Sequence, residues 1–442
     1  MKQTIILICG IALATSCQSE PTGKTTTYFR LPAPSVVDAF VMPDNLVIGK
    51  ELESDWQRTY SSALSNNGNV IAAKARYNAA LQQIQIVGAY PEPKLMLGGF
   101  VEPVETRNGP MQMKVGVQQR IPWHKRLEGK SDKQRATAQA AAADVVNVQL
   151  KLRAEIATLW AKRILLERSI AINNTQAKVM HHIENLVIAK FETGRASQSK
   201  VLRSQLATTK LQDRIFSLEA AAELIDSKIF AATTVHGNTI NWAEQEYPLQ
   251  HLTLDNYLST AERPQLMKLE FMMRAAAHEV SVANDLQIPD FMIGVDYTMI
   301  GDGYPSMTTS GDDAIGVQLS FDLPFGNRPY AALVLAAEQK QQALKWQLQQ
   351  ATRNSDAEIT NALTMRDDAN RRVELYRNKL LPRAESTLEA TLQSFQANQS
   401  SLQDVLDAST LILDYQLQLE TAYSDMCATR AIIAGAILVG NE

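Results

Sequence analysis

From Lys130 to Phe191 the chain runs without a proline and is rich in Ala, Gln, Leu and Lys. At about 1.5 Å of rise per residue, roughly 60 residues form a helix about 90 Å long. No compact domain needs a helix of that length, so the run demands a coiled coil, a stalk or a tunnel. It ends at Glu192-Thr193-Gly194, and a second helical run extends from about Ser197 to Ala232. Upstream, a helical pattern covers Glu51 to about Val87 and is stopped by Tyr90-Pro91-Glu92-Pro93.

The same order then recurs. A helix predicted from Arg263 to about Asp285 stops before Pro289. A long helix leaves from about Pro329, carries Pro382 inside it and breaks near Gln396-Ala397-Asn398. A last helix runs from about Leu402 to Leu438. Val115, Val117, Ile121-Pro122-Trp123 and Arg126 correspond in order to Val317, Leu319, Leu323-Pro324-Phe325 and Arg328. Phe191, Ser197 and Val201-Leu202 correspond likewise to Phe395, Ser401 and Val405-Leu406. The unit helix, hairpin, long helix, turn, helix therefore occurs twice.

Each hairpin consists of two alternating segments, about 94–102 with 111–121 and about 291–300 with 314–323. In a strand, successive side chains face opposite ways. Met111, Met113, Val115, Val117 and Ile121 share one face, against Gln112, Lys114, Gly116, Gln118 and Arg120. Phe291, Ile293, Val295, Tyr297 and Met299 oppose Met292, Gly294, Asp296 and Thr298. Ile315, Val317, Leu319, Phe321 and Leu323 oppose Ala314, Gly316, Gln318, Ser320 and Asp322. The first segment sets Leu95, Leu97, Gly99 and Val101 against Lys94, Met96, Gly98, Phe100 and Glu102, and Met96 and Phe100 blur it. Segments of roughly 9–11 residues suffice to cross a bilayer as tilted strands. Four strands cannot close a barrel, and an open edge cannot stand in lipid. The chain must then oligomerise, and geometry alone allows a dimer, a trimer or a tetramer.

The N-terminus is a short secretory leader: Lys2, the apolar run Ile5 to Leu13, then Ala14-Thr15-Ser16 before Cys17. It resembles a bacterial lipoprotein signal, which implies acylation of Cys17 as the first mature residue; an ordinary signal peptide that contains a cysteine is the alternative. Cys9 is lost with the leader, and Cys427 reads as a small packed hydrophobe, so no disulfide framework is expected. Net charge is −4, from 43 basic and 47 acidic residues, which leaves no electrostatic footprint for nucleic acid. No nucleotide loop, dinucleotide-binding glycine motif, nucleophile elbow or zinc-binding helix motif is present, so neither an enzyme nor a cofactor is expected. His181-His182 are adjacent and Met111, Met113 and Met299 fall on the apolar faces, so no metal site is assigned.

Several of these residues resemble the outer-membrane efflux protein family, the TolC-like channels. Arg263-Pro264, Leu266, Glu270, Ala283 and Pro289 look like the family's Arg-Pro-x-Leu helix leading to a proline before a strand. The segments FETGRASQSKVL and FQANQSSLQDVLDAS look like its turn signature, aromatic-x-x-Gly-x-x-Ser-x-x-x-Val-Leu. The resemblance implies a mainly α chain with four strands per subunit, and a trimer whose twelve-stranded barrel continues into a long periplasmic α-helical tunnel. It implies that Phe191, Gly194, Arg195 and Ser197, with Phe395, Asn398, Ser400 and Ser401, lie at the tunnel tips and contact a periplasmic adaptor. Asp404 and Asp407 match the family's gate aspartates and, three apart on one helix face, would ring a constriction. Two solvated surface acids are the plain alternative. Asn398 stands at the second glycine position, which Asn tolerates, and Lys200 and Ser400 replace charged residues that pair near the gate in some relatives. The stretch QQRIPWHKRLEGK resembles the heavy-metal branch, which works with RND-type inner-membrane transporters.

The expected organisation is a signal at 1–16, a tether at 17–50, a first repeat at 51–235, a connector at 236–260 and a second repeat at 261–442. The expected function is a lipid-anchored outer-membrane channel subunit of a tripartite efflux system, passing heavy-metal cations, drugs or other small molecules. A lipid-anchored periplasmic coiled-coil or adaptor protein is the alternative.

Overall fold

The computed structural model describes residues 55–248, 263–302, 311–322, 327–397 and 399–436. Cys17 and Asn398 lie outside the described residues. The described chain opens with α1 (Asp55–Asn66) and α2 (Gly68–Gly88). The pattern predicts one helix here, but Asn67 divides it. Its Oδ1 accepts from the Asn69 amide at 3.0 Å and caps α2, while its Nδ2 donates to the Ala232 carbonyl at 3.0 Å. A short polar side chain before a glycine stabilises a helix start better than a helix interior.

A hairpin follows, built of β1 (Lys94–Gly99), the short β2 (Glu105–Thr106) and β3 (Gly109–Ile121). The chain then enters α3 (His124–Glu192), 69 residues and so about 100 Å long. It returns in α4 (Gln198–Thr233). The second half repeats this order with α5 (Pro264–Asp285), β4 (Phe291–Ile300), β5 (Ala314–Phe321), α6 (Asn327–Leu375), α7 (Leu381–Gln396) and α8 (Leu402–Ala436). The expected unbroken helix around Pro382 contains one π-helical turn, Tyr376–Leu380, directly before α7. A proline at the second position of α7 lacks the amide and crowds the preceding turn, and the wider turn accommodates it.

Helix α3 is the axis of the packing and touches α2, α4, α5 and α8. Its buried face forms three clusters in sequence. Leu152 and Ile156 pack with Tyr60, Ala63, Val70 and Ala232. Next, Trp160 is fully buried between Trp56 and Trp242, with ring centroids at 5.5 and 4.7 Å in edge-on contact. At the far end Met180, Ile183 and Val187 meet Leu211, Phe395, Leu402, Val405 and Leu413. The connector after α4 joins this core, because Trp242 and Tyr247 are buried against Trp160 and Ile164. Cys427 sits in the same cluster, where its Sγ donates to the Pro248 carbonyl at 3.0 Å and burial pushes the thiol up to about 12. It is a packed, unreactive cysteine, as expected.

The strands form one antiparallel sheet in the order β1-β3-β4-β5, with β2 folded onto the start of β3. Leu95 and Leu97 face Val117 and Val115, Val115 and Val117 face Tyr297 and Val295, and Val295 and Ile293 face Val317 and Leu319. Opposed residues share a face, so the apolar positions of all four long strands line one side of the sheet. Met111 is a correction. The register shifts between Met111 and Met113, so Met113 faces Met299 while Met111 faces Ile300, out of phase with the apolar row. The extra residue of a bulge breaks the alternation there.

Candidate functional site

The apolar side of the sheet is bare. Leu97 is 70% exposed, Val295 51% and Val317 79%. A sheet lying on a soluble core would bury these residues and expose the polar ones. Here the apolar side is the exposed one; on the opposite side Gly116, Gly294 and Thr298 are buried, while Lys94, Lys114 and Gln318 are exposed. Asp296 lies on that polar side between Gly116 and Gly316 and pairs with Lys114 at 3.0 Å. A Cβ on Gly116 would stand 3.1 Å from Asp296 Cβ, and one on Gly316 would stand 2.8 Å from its Oδ2. The flanking glycines therefore make room for a charged residue on the polar side of the sheet. Among the described residues, strands β1 and β5 each keep an unpaired edge. No helix among the described residues is long and apolar enough to cross a membrane.

Where sheet meets helices, Arg126 and Asp290 form a buried ion pair at 2.7 Å. Asp290 also accepts from Arg120 Nε at 3.1 Å and from the Trp123 amide at 3.3 Å. Arg126 donates in addition to the carbonyls of Asp285, at 2.9 Å, and Ile288. One carboxylate thus ties the end of β3, the start of α3 and the start of β4. The duplicated Arg126 was visible in the sequence, but its partner, distant along the chain, was not.

At the opposite end of α3 the two turn motifs come together through the packing of α3, α4, α7 and α8. Gly194 adopts φ 72°, the left-handed geometry its motif position requires. The amides of Arg195 and Ala196 donate to the Lys190 carbonyl at 2.7 and 3.0 Å and close the turn. Phe191, Arg195 and Ser197 are exposed, with Phe191 at 46%. Phe395 differs, being 4% exposed. Lys190, which the motif reading did not single out, ties the turns to each other. Its Nζ donates to the Phe395 carbonyl at 2.6 Å and lies 4.2 Å from the centre of that ring. Partial burial and the neighbouring Lys200 and Arg195 lower its pKa.

In the second turn, Ser400 Oγ donates to the Thr391 carbonyl at 3.1 Å. Ser401 and Asp404 form a capping box: the Ser401 amide and hydroxyl donate to Asp404 Oδ2, both at 2.8 Å, and the Asp404 amide donates to Ser401 Oγ at 3.2 Å. These bonds hold the Asp404 carboxyl below its usual range. The lowered folded value means the cap stabilises α8 at neutral pH and is lost as the pH falls through that value. Asp407 accepts from Gln403 Nε2 at 2.8 Å. Both aspartates are exposed. Asp404 and Ser400 line an open groove with Ser386, Thr387, Thr391 and Ser394. Among the described residues no three His, Cys, Asp or Glu side chains are grouped to hold a metal.

Solved structures with this architecture include VceC, an outer membrane protein of Vibrio cholerae, at 18% identity and a TM-score of 0.72, with 86% of this chain and 96% of that one covered. The CmeC outer membrane channel of Campylobacter jejuni gives 14% identity and a TM-score of 0.71, covering 87% of each chain. CusC, whose structures concern conformational changes accompanying folding and transmembrane channel formation, gives 16%, 0.71, 86% and 91% on the same measures. No curated protein matches the chain in sequence. The family model "Outer membrane efflux protein" matches residues 59–225 and 257–436. These two segments span both halves of the duplication and most of the chain, which belongs to the outer membrane efflux protein family.

Proposed function

We propose that three copies of this chain assemble into a twelve-stranded barrel continued by a helical periplasmic tunnel, the passive outer channel of a tripartite efflux system. The bare apolar face of a sheet with two open edges carries this reading. That face needs lipid, the edges need other copies, and the polar face suits a wet lumen. The architecture shared with solved channels supports it. A soluble coiled-coil or adaptor protein has no use for such a sheet.

In this assembly Phe191, Gly194, Arg195 and Ser197, with Asn398, Ser400 and Ser401, form the tips on which a periplasmic adaptor docks, and an RND-type inner-membrane transporter supplies the energy. The buried Phe395 supports the tips from beneath rather than touching the adaptor. Cys17 carries the lipid anchor. The likeness of QQRIPWHKRLEGK to the heavy-metal branch makes metal cations the cargo to test first, ahead of drugs and other small molecules. The protein is expected to fractionate with the outer membrane, take radiolabelled palmitate at Cys17 and run unheated on a detergent gel as a trimer. A soluble, monomeric protein would overturn the channel; an unlabelled trimer would overturn only the anchor.

Three copies bring six carboxylates from Asp404 and Asp407 to the tunnel mouth, where they favour cations. Asp404→Ala with Asp407→Ala is expected to raise single-channel conductance or lower cation selectivity in planar bilayers. Because Asp404 also caps α8, Asp407→Ala alone separates charge from helix capping. Unchanged conductance and selectivity in both variants would make these residues ordinary surface acids.

A further inference from the structure

The two hairpins are copies of each other, and their registers identify equivalent residues. Val115 faces Leu97 in the first and Val317 faces Val295 in the second; Val117 faces Leu95 as Leu319 faces Ile293. Strand β3 is therefore equivalent to β5, and Leu95 and Leu97 of β1 are equivalent to Ile293 and Val295 of β4. Carried into the flanking segments, the same correspondence matches Arg328 to Arg126, Glu92 to Asp290, Val87 to Asp285 and Tyr90 to Ile288.

Within one chain β3 adjoins β4, and their junction is where Arg126 meets Asp290. The equivalent junction, β5 against β1, cannot form within one chain, because these strands are the opposite edges of the sheet. Glu92, just before β1, and Arg328, in the first turn of α6, are exposed, and neither has an ion pair among the described residues. We propose that the β5 edge of one copy pairs with the β1 edge of a second, in the register Val317–Gly99, Leu319–Leu97 and Phe321–Leu95, and that Arg328 locks this seam by binding Glu92 of the neighbouring copy. The inference rests on the closed-barrel reading above and adds the register and the locking pair.

Three features support it. The register copies Val115–Tyr297, Val117–Val295 and Gln119–Ile293 within the chain, and it sets apolar residues or glycine opposite apolar residues on the bare face. The carbonyls of Val87 and Tyr90 stand where those of Asp285 and Ile288 receive Arg126, so Arg328 meets acceptors as well as a carboxylate. Farther along the helices, Lys133 and Glu279 pair at 3.2 Å between α3 and α5. Their equivalents on α6 and α2 are Leu335 and Leu81, and Leu335 is 57% exposed in the single chain. A neighbouring α2 would cover it. One difference sharpens the expectation: Arg120, the second cation on Asp290, is matched by Asp322, which lies 3.7 Å from Arg120 itself. Arg328 therefore has no arginine helper at the seam.

The register is tested with paired cysteines in the full chain, Cys427 being buried. Leu319→Cys with Leu97→Cys should give a covalent ladder up to the full oligomer on oxidation, whereas Leu319→Cys with Leu95→Cys should not. A wild type that is oligomeric unheated while only the second pair cross-links would overturn the register and leave the barrel standing. A monomeric wild type would overturn the barrel. For the pair itself, Arg328→Glu and Glu92→Arg should each lower the oligomer-to-monomer ratio about tenfold, and the double reversal should return it to within about twofold. A double variant no better than either single would overturn the Arg328–Glu92 contact.

Discussion

Replacing Asp290 with alanine is expected to lower the stability of the folded protein by about 3–5 kcal/mol, the cost of leaving a buried charge without its partner. Arg126 has a side-chain exposure of 8% and Asp290 of 6%, so water screens the pair poorly. The loss would not be confined to one bond. Asp290 also holds Arg120 and the Trp123 amide, so the end of β3, the first turn of α3 and the lead into β4 would loosen together. A urea titration of the detergent-solubilised protein, followed by circular dichroism, reads the effect as a lower midpoint. Changing Arg126 to Met and Asp290 to Val together should cost less than Asp290→Ala, because no lone charge remains. An Asp290→Ala midpoint equal to wild type would show that water already satisfies Arg126.

Val295→Arg is expected to destabilise the membrane-embedded form by about 2–4 kcal/mol per copy, the cost of an arginine near the bilayer midplane on a lipid-facing strand. Val295 lies mid-strand in β4, the interior strand between β3 and β5, and is half exposed on the apolar side. Gln318→Arg provides the contrast, since Gln318 faces Gly294 on the polar side. The first variant should yield little heat-resistant oligomer and much aggregate, while the second should assemble and alter ion selectivity. Equal assembly of the two would mean that both faces meet water, and the lipid-facing assignment would fail.

Period and punctuation made much of this architecture legible in advance. The proline-free run from Lys130 announced α3, Gly194 announced the turn that ends it, and the duplicated Val-Leu motifs announced the second half. Alternation identified the strands and their bare side because that signal is local, each residue constrained by those two positions away. What a local pattern does not carry is set by contacts between distant segments. Asp290 takes its role from Arg126 and Lys190 takes its role from Phe395, each partner far away along the chain. Trp242 and Tyr247 lay in a connector without periodicity, yet they complete the core around Trp160. Asn67 leaves little trace in the sequence, because a single cap interrupts a helical pattern without erasing it. At the tips, the spacing of Asp404 and Asp407 was readable, but the capping role of Asp404 emerged only with the Ser401 bonds.

The bare apolar side of the sheet also shapes the life of the chain before it reaches its destination. Between synthesis and assembly each copy carries an uncovered greasy surface and two adhesive strand edges, the combination that drives clumping of partly folded proteins. Such a chain should have a short free lifetime, need an escort across the aqueous compartment, and reach its stable form only in company. Overproduction should then yield insoluble deposits rather than a reserve of spare subunits.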